Sequence, residues 1–343
     1  MRRMLNTLFV TTQGAYLARE RETVLVRVQR ETKLRVPIHT LGSIVCFGRV
    51  SVSPPLMGLC GGRNVALCFL SERGKFLARV QGPVSGNVLL RREQYRQADD
   101  EGTCAKVARA MIAAKIANCR TVLLRAVRDR PEDAKVTALE SSAGELAHLL
   151  DPLREPVTLD AARGLEGQAA RIYFNAFDHL ITAQKDEFFF RDRSRRPPLD
   201  NMNALLSFLY TLLGHDAESA LEVVGLDPAV GFLHRDRPGR KGLALDLIEE
   251  FRPILAERLA LSLVNRQQIK GKGFRQTESG AVWMNDETRK EVLIAWQKRK
   301  QEEIHHPFLN EKVAIGLLLH VQAMLLARYL RGDLDGYPPF FWK

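Results

Sequence analysis

The sequence predicts an α+β protein, with a small N-terminal β-sandwich domain at residues 1–84 and a larger all-α catalytic domain at residues 85–343. Over the first ~80 residues, short segments rich in Val, Leu, Ile and Phe alternate with turn residues, which is typical of strands. From about residue 86 the apolar residues recur every three or four positions, which is the period of a helix. A chain of 343 residues is also long enough for two domains.

The N-terminal strands are predicted from their composition and from the turn residues that separate them. They are LNTLFVTT, TVLVRVQ, KLRVPIHTL, SIVCFG, VALCFLS and KFLARVQG. The segment SPPLMGLCGGR interrupts them with a serine cap and two prolines at the first helical positions, and it therefore predicts one short helix.

The second domain is predicted to consist of helices. In EGTCAKVARAMIAAKIANCRTVLLRAV, an apolar stripe runs through Val107, Met111, Ala114 and Ala117. Further helical patterns follow in TLDAARGLEGQAARIYFNAFDHLI, DNMNALLSFLYTLLG, LALDLIEEF, ETRKEVLIAWQKRKQEEI and EKVAIGLLLHVQAMLLARYLRG. Pro253 must end or kink the helix LALDLIEEF. The C-terminal DLDGYPPFFWK is either a strap against the domain or a binding segment.

Composition narrows the class of protein. The chain has 51 Lys+Arg against 40 Asp+Glu, a net charge of +11, which favours an anionic partner such as nucleic acid over a merely basic cytosolic protein. The five cysteines form no CxxC pair, which argues against structural zinc and fits a reducing cytoplasm. We expect no secretory signal and no membrane span, since no window of ~20 apolar residues occurs.

One histidine and three carboxylates lie close together in GFLHRDRPGRKGLALDLIEEF. On a helix, Asp246 shares a face with both Glu249 and Glu250, at three and four residues' distance. His234 lies before the loop that leads into this helix. The alternative interpretation is a solvated helix face on which Glu249 or Glu250 pairs with Arg252.

A further carboxylate, Glu166, lies in GLEGQAARIYFNAF on a stripe with Ala170, Phe174 and Phe177. Burying a glutamate there costs several kcal/mol unless a cation compensates its charge. We therefore expect Glu166 either to pair with an arginine or to bind a metal ion.

These carboxylates and His234 form a set of oxygen and nitrogen donors without a thiolate, which suits Mg²⁺ or Mn²⁺. Basic residues near them are predicted to hold DNA phosphates, because basic side chains and a divalent ion together serve phosphodiester chemistry. The predicted DNA-binding residues are Arg191, Arg193, Arg195, Arg196, Arg235, Arg237, Arg240 and Lys241.

Four motifs carry a resemblance to a known family. GLEGQAARIYF, RRPPLDNMNALLSFLYTLL, GFLH and LALDLIEEFRP, in this order, resemble the CRISPR-associated integrase of spacer acquisition, the universal adaptation endonuclease. The resemblance extends over nearly the whole chain, and it is to the version found with type I, subtype C arrays.

The resemblance implies a catalytic set of Glu166, His234, Asp246 and Glu249, in which Glu166, His234 and Glu249 bind the metal ion. It places Asn203 and Tyr210 behind these ligands. Several members of the family have Asp where this chain has Glu249, so whether Glu249 or Glu250 reaches the ion stays open.

The resemblance also implies an activity. The 3′-hydroxyl of a captured DNA fragment would attack a phosphodiester at the leader-repeat junction of a CRISPR array, and attack by water would appear as endonuclease activity. Two alternatives stay open. One is a catalytically silent DNA-binding scaffold, and the other is a general structure-specific metal-dependent nuclease or an RNA-processing enzyme.

The partners that the resemblance implies are double-stranded DNA and a second copy of the chain, in a homodimer formed through the β domain. Two such dimers would flank a small ferredoxin-like adaptation protein in a heterohexamer. An iron-sulfur companion nuclease that trims the incoming DNA is a further partner of this subtype.

Overall fold

The computed structural model describes residues 6–72, 76–80, 82, 88–132 and 134–342. The chain divides into two compact units. The described residues of Met1–Gly86, Asp286–Ile304 and Val313–Leu318 form the first unit, and those of Asn87–Asn285, His305–Lys312 and Leu319–Lys343 form the second. Residues 286–304 and 313–318 thus belong to the first unit, although they lie far beyond the predicted boundary at residue 84.

The described N-terminal part of the first unit contains eight strands. They are β1 (Asn6–Val10), β2 (Tyr16–Glu20), β3 (Thr23–Val28), β4 (Glu31–Pro37), β5 (Leu41–Phe47), β6 (Ser51–Val52), β7 (Ala66–Leu70) and β8 (Phe76–Val80). One sheet has the order β1-β5-β7-β8, with β1, β5 and β7 parallel and β8 antiparallel to β7. The other has the order β4-β3-β2-β6. The predicted N-terminal β domain is confirmed.

The two sheets share one hydrophobic core. Leu17 of β2 and Ile44 of β5 are completely buried in it. The helix α1 (Pro54–Arg63) adds Leu56 and begins at Ser53, whose hydroxyl accepts a hydrogen bond from the backbone N–H of Leu56. The short helix predicted from SPPLMGLCGGR is confirmed. Each of the five cysteines is buried and free, as expected for small apolar side chains.

The rest of the described chain is mainly helical. The helices are α2 (Val88–Asp99), α3 (Glu101–Asp129), α4 (Val136–His148), α5 (Leu159–Phe177), α6 (Asn201–Val224), α7 (Gly242–Glu249), α8 (Arg258–Asn265), α9 (Asp286–Gln301) and α10 (Leu318–Leu330). Two short strand pairs complete it, β9 (Phe274–Gln276) with β10 (Val282–Met284), and β11 (Glu303–His306) with β12 (Glu311–Ala314). None of the described helices combines the length and hydropathy that a membrane span requires.

Helix α3 is the central helix of the second unit, where it packs on α4, α5 and α7. The predicted apolar stripe is confirmed at Val107, Met111 and Ala114, which are all buried. Two polar side chains of α3, Lys115 and Asn118, are buried as well. Because a buried cation or amide requires partners, these two residues indicate where polar groups of other helices converge.

The segment after α7 is interrupted at Pro253, as predicted. Helix α7 ends at Glu249, a π-helical turn spans Arg252–Glu257, and α8 begins at Arg258. Proline lacks an N–H group and cannot continue the regular helical hydrogen bonds. Single π turns inside helices often occur at functional sites.

Candidate active site

The carboxylate of Asp246 organises the loop that carries His234. Its Oδ2 accepts hydrogen bonds from the backbone N–H groups of Phe232 (2.6 Å) and Leu233 (2.9 Å), and its Oδ1 accepts one from His234 (3.0 Å). Gly231 makes this approach possible, because a Cβ there would lie 2.6 Å from Oδ2. Asp246 is completely buried, so it anchors the loop rather than facing solvent.

The same carboxylate fixes the imidazole of His234. Nδ1 lies 2.6 Å from Asp246 Oδ1. A carboxylate that already accepts three backbone N–H groups acts as an acceptor here too, so Nδ1 carries a proton and the ring directs Nε2 away from Asp246. Metal-binding histidines commonly have such a carboxylate behind them, since it sets the tautomer and the ring orientation.

Arg163 of α5 holds the same loop from the other side. Its Nε and Nη2 donate to the carbonyl oxygen of Leu233 at 2.9 and 2.7 Å, while Nη1 donates to Asp160 at 2.9 Å. The backbone next to His234 is therefore held by Arg163 as well as by Asp246. Arg163 was not among the predicted site residues. Its position three residues before Glu166, on the same face of α5, was the available signal.

Glu166 and Glu249 converge on one buried cation, Lys115 of α3. The ammonium group pairs with Glu166 Oε1 and lies 2.6 Å from Glu249 Oε2. Arg252 Nη2 lies 3.1 Å from Glu249 Oε1, so one of the two pairings considered in the sequence analysis is confirmed. Helices α3, α5 and α7 and the π-helical turn after α7 thus bring two carboxylates and two cations to one place.

The charged groups of this cluster keep one another ionised. Burial alone would raise the pKa of Glu249, but Arg252 and Lys115 outweigh it and hold that pKa at about 2. Burial disfavours the charge of Lys115, yet Glu249 and Glu166 hold its pKa above the usual range. Both members of the central pair are therefore charged.

Glu166 differs from its prediction in burial and in partner. Its side chain is 29% exposed and its cation is Lys115 instead of an arginine. The buried stripe of α5 runs through Ala169, Tyr173 and Phe177, so it is displaced by one residue from the predicted stripe for part of its length. Lys115 was missed because a lone lysine inside AAKIAN looks like an interruption of the apolar stripe.

Glu250 also differs from its prediction, which left it to solvent or to an arginine. It is completely buried, and its carboxyl group accepts hydrogen bonds from Tyr337 Oη (2.6 Å), the backbone N–H of Phe340 (2.7 Å) and Gln322 Nε2 (3.2 Å). The interpretation of these acids as a solvated face is wrong, since α7 is buried nearly all round. Glu249 and Glu250 face different partners, and only Glu249 contacts the Lys115 cluster.

The C-terminal segment is a strap, one of the two predicted alternatives. Phe340 is completely buried, and its carbonyl oxygen accepts a hydrogen bond from Asn118 Nδ2. The indole of Trp342 lies between the guanidinium groups of Arg125 and Arg258, 3.8 and 4.3 Å from its ring centroid. These cation–π contacts attach the segment to α3 and α8.

Of the two residues predicted to lie behind the ligands, Tyr210 contacts Arg252 of the Lys115 cluster directly and Asn203 does not. The ring of Tyr210 lies 5.2 Å from the guanidinium of Arg252, and its hydroxyl donates to the buried Glu257 at 2.5 Å. Asn203 accepts a hydrogen bond from Arg193 Nη1 at 2.7 Å. Tyr210 therefore contacts Arg252 directly, while Asn203 contacts Arg193, which in turn lies against the ring of Tyr210. Glu257 was not singled out in the sequence.

The predicted DNA-binding residues fall into two groups. Arg191, Arg195, Arg196, Arg235 and Arg237 are exposed, and Arg240 is partly exposed. Arg193 instead turns inward, where it bonds Asn203 and Ser207 and lies 5.3 Å from the ring of Tyr210. Lys241 is exposed as well, and it pairs with Glu218 at 3.1 Å. The exposed members have the accessibility that phosphate contacts require.

The donors present suit a divalent ion in chemical type. Glu249 Oε2 is a buried oxygen that lies 2.6 Å from the ammonium group of Lys115 and has no other hydrogen-bond donor among the described residues. Two carboxylates and one imidazole with a free Nε2 match Mg²⁺ or Mn²⁺. Within the described ranges, however, no three His, Cys, Asp or Glu side chains surround a common point, and Lys115 lies between Glu166 and Glu249.

Comparison with protein families identifies relatives. The family model "CRISPR associated protein Cas1" matches residues 8–298. A protein of Chlorobaculum tepidum named CRISPR-associated endonuclease Cas1 1 is 55% identical over 343 residues, which is 100% of both chains. CRISPR-associated endonuclease Cas1 2 of Rhodospirillum rubrum is 51% identical over 100% of both chains. A Geobacter sulfurreducens protein named as a Cas4 exonuclease/Cas1 endonuclease fusion is 34% identical over 97% of this chain and 60% of its own length.

Solved structures share the fold. A chain of a Cas6-RT-Cas1–Cas2 complex superposes with a TM-score of 0.82 at 22% identity, over 99% of this chain and 36% of that chain. A Cas1 protein from Thermotoga maritima gives 0.81 at 22% identity, over 96% and 99% of the two chains. A casposase bound to its integration product gives 0.81 at 21% identity, over 97% and 93%.

Proposed function

We propose, from the premise that this chain belongs to the Cas1 family of CRISPR-associated proteins, that it is a metal-dependent DNA endonuclease and integrase that inserts new spacers into a CRISPR array. The observation that carries the proposal is the convergence of Glu166 and Glu249 on one buried cation, together with Asp246 of the same helix as Glu249, which fixes Nδ1 of His234. The names of the relatives support an endonuclease, and the fold shared with a casposase on its integration product agrees with strand joining.

The proposed reaction exchanges one phosphodiester for another. The 3′-hydroxyl of the incoming DNA attacks the phosphorus at the leader-repeat junction and forms a new P–O bond. The bond from that phosphorus to the array strand's 3′ oxygen breaks, and this oxygen leaves with a proton. Attack by water at the same phosphorus gives cutting without joining. Neither path requires a covalent bond to the protein.

The residues of the chain would prepare this exchange. Mg²⁺ or Mn²⁺ held by Glu166, His234 and Glu249 would offset charge that develops on the phosphate oxygens. Asp246 holds His234 Nδ1, so Nε2 is the ring nitrogen that would bind the ion. Arg163 holds the loop behind His234. The exposed arginines near residues 191–196 and 235–237 would bind DNA phosphates.

The partners are proposed on the same basis. A related structure contains Cas1 together with Cas2, which supports a small adaptation protein as a partner in a heterohexamer. A relative is fused to a Cas4 exonuclease, which supports a companion nuclease. We also propose a homodimer formed through the N-terminal β domain, double-stranded DNA as substrate and a cytoplasmic location, where five free cysteines would stay reduced.

The test is a strand-joining assay with the full-length protein. A labelled oligonucleotide with a 3′-hydroxyl is incubated with a supercoiled plasmid that carries a leader and a repeat, with Mn²⁺ or with EDTA. We expect label to join the plasmid only with the metal ion, and an oligonucleotide with a 3′-deoxy end to give no product. Cutting without joining would indicate a general nuclease, and DNA binding without either reaction would indicate a scaffold.

DNA binding should be largely electrostatic. We expect affinity to fall steeply with salt, and Arg235→Gln to reduce the slope of log K against log salt by about 0.9, the value for one lost phosphate contact. Arg128→Gln is a matched control, because Arg128 and Arg235 are 70% and 69% exposed and Arg128 lies outside the predicted clusters. Fluorescence anisotropy at several salt concentrations measures both. A dissociation constant that does not change between low and physiological salt would contradict this.

A further inference from the structure

We propose that Lys115 is an exchangeable internal cation. It holds Glu166 and Glu249 together in the metal-free protein, gives up this position to the divalent ion, and then binds a phosphate of the DNA. The inference rests on the proposed function and extends it, because it assigns a role to a residue outside the set of metal ligands.

The position of the ammonium group is the first argument. Nζ pairs with Glu166 and lies 2.6 Å from Glu249 Oε2, a buried oxygen with no other hydrogen-bond donor among the described residues. An ion that binds both carboxylates must occupy the space between them. Lys115 already lies there, so the ammonium and the ion compete for one position.

The charges are the second argument. Without a metal ion, Lys115 and Arg252 balance the two carboxylates. A divalent ion added beside both cations would be repelled in a site where water screens poorly. Moving one ammonium group off the carboxylates removes much of this repulsion. The negative charge of a DNA phosphate would then give that ammonium a new partner.

The side chains explain why Lys115, and not Arg252, would move. Lysine carries its charge on a flexible four-carbon stem with three rotatable donors. The guanidinium of Arg252 contacts the ring of Tyr210, and the hydroxyl of Tyr210 donates a hydrogen bond to Glu257. Arg252 is therefore held in place by a fixed ring. One helical turn after Lys115, Asn118 bonds the carbonyl oxygens of Glu250 and Phe340, so the backbone of α3 stays attached while the lysine stem swings.

The test measures Mn²⁺ binding to the full-length protein without DNA, by electron paramagnetic resonance at fixed pH. Lys115→Met keeps the length of the stem and removes its charge, and Lys115→Arg keeps a charge. We expect Lys115→Met to bind Mn²⁺ at least ~10-fold more tightly than the original protein, because a like charge beside the ion is gone. We expect no such gain for Lys115→Arg. A purely structural lysine would give Lys115→Met equal or weaker Mn²⁺ binding, which would overturn the proposal.

A second measurement tests the role toward DNA. In EDTA, Lys115→Met should leave DNA affinity unchanged, because the original ammonium is held by the two carboxylates. With Mn²⁺, the same variant should bind DNA more weakly, with a salt slope lower by about 0.9. An equal effect of the substitution in both conditions would overturn this role. If Lys115→Met unfolds, Lys115→Gln is measured in the same way.

Failure of this inference is distinguishable from failure of the proposed function. Glu249→Gln is included in the Mn²⁺ titration. If it leaves Mn²⁺ binding unchanged, the ion does not use this site and both proposals fall. If it removes Mn²⁺ binding while Lys115→Met does not strengthen it, only the role of Lys115 is wrong, and the strand-joining assay still decides the function.

Discussion

Glutamine in place of Glu249 is expected to reduce strand joining at least ~100-fold, the scale on which single electrostatic groups of active sites act. The substitution keeps the length of the side chain and removes the charge that faces Lys115 and Arg252. Glu166→Gln and His234→Ala should behave alike, since each removes a proposed ligand. Joining is measured with labelled oligonucleotide and supercoiled plasmid in Mn²⁺, beside DNA binding at low salt, which should be nearly unchanged.

The matched control is Glu250→Gln, one position along the same helix. Its amide group stays in the C-terminal strap's network and does not reach the cluster, so most strand joining should remain. Asp246→Asn should lower joining by about 10–100-fold, because it weakens the support of His234. An inactive Glu250→Gln together with an active Glu249→Gln would show that Glu250, and not Glu249, is the metal ligand. A fully active Glu166→Gln would contradict the proposal that these residues bind a metal ion.

The largest effect on stability is expected from Glu250→Ala. It leaves the hydroxyl of Tyr337, the N–H of Phe340 and the amide of Gln322 without their shared acceptor and opens a cavity among them. Losses of this kind cost about 2–4 kcal/mol. We expect a melting temperature lower by roughly 5–15 °C, measured by circular dichroism, and a C-terminal segment that becomes sensitive to limited proteolysis.

Glu250→Gln separates the charge of this group from its shape. Burial raises the pKa of Glu250 to about 7 from the ordinary value of 4.5. The folded state therefore keeps a proton that the unfolded state has lost, and the contribution of this group to stability falls as pH rises from about 4.5 through about 7. Glu250→Gln should lack this part of the pH dependence. Equal slopes of melting temperature against pH for both proteins would refute the assignment.

Sequence patterns were sufficient for the β domain, for the stripe of α3 and for the break at Pro253, because alternation, helical period and proline act locally. The meeting of Glu166 with Glu249 was also predictable in outline, since both acids need compensation and the four ordered motifs resemble one family. The prediction that both bind a metal ion together with His234 stays a prediction.

Other features of the site depend on contacts between distant segments, which period alone does not specify. In α7 nearly every position is buried, so the pattern did not distinguish Glu249 from Glu250. Lys115 appears in the sequence as one charge in an apolar helix. Only the packing of α3 on α5 and α7 shows which carboxylates it pairs with. Arg163 binds a carbonyl group 70 residues away, and no side-chain pattern encodes such a bond.

The partners of Glu250 also have a consequence for synthesis of the chain on the ribosome. Tyr337 and Phe340 follow Glu250 by 87 and 90 positions, and the helix that they help to fix carries Glu249. A nascent or prematurely terminated polypeptide that has made the whole Lys115 cluster still lacks these partners of Glu250. We expect products truncated before residue 337 to perform the proposed cutting and joining of DNA poorly, because the helix that carries Glu249 lacks these contacts.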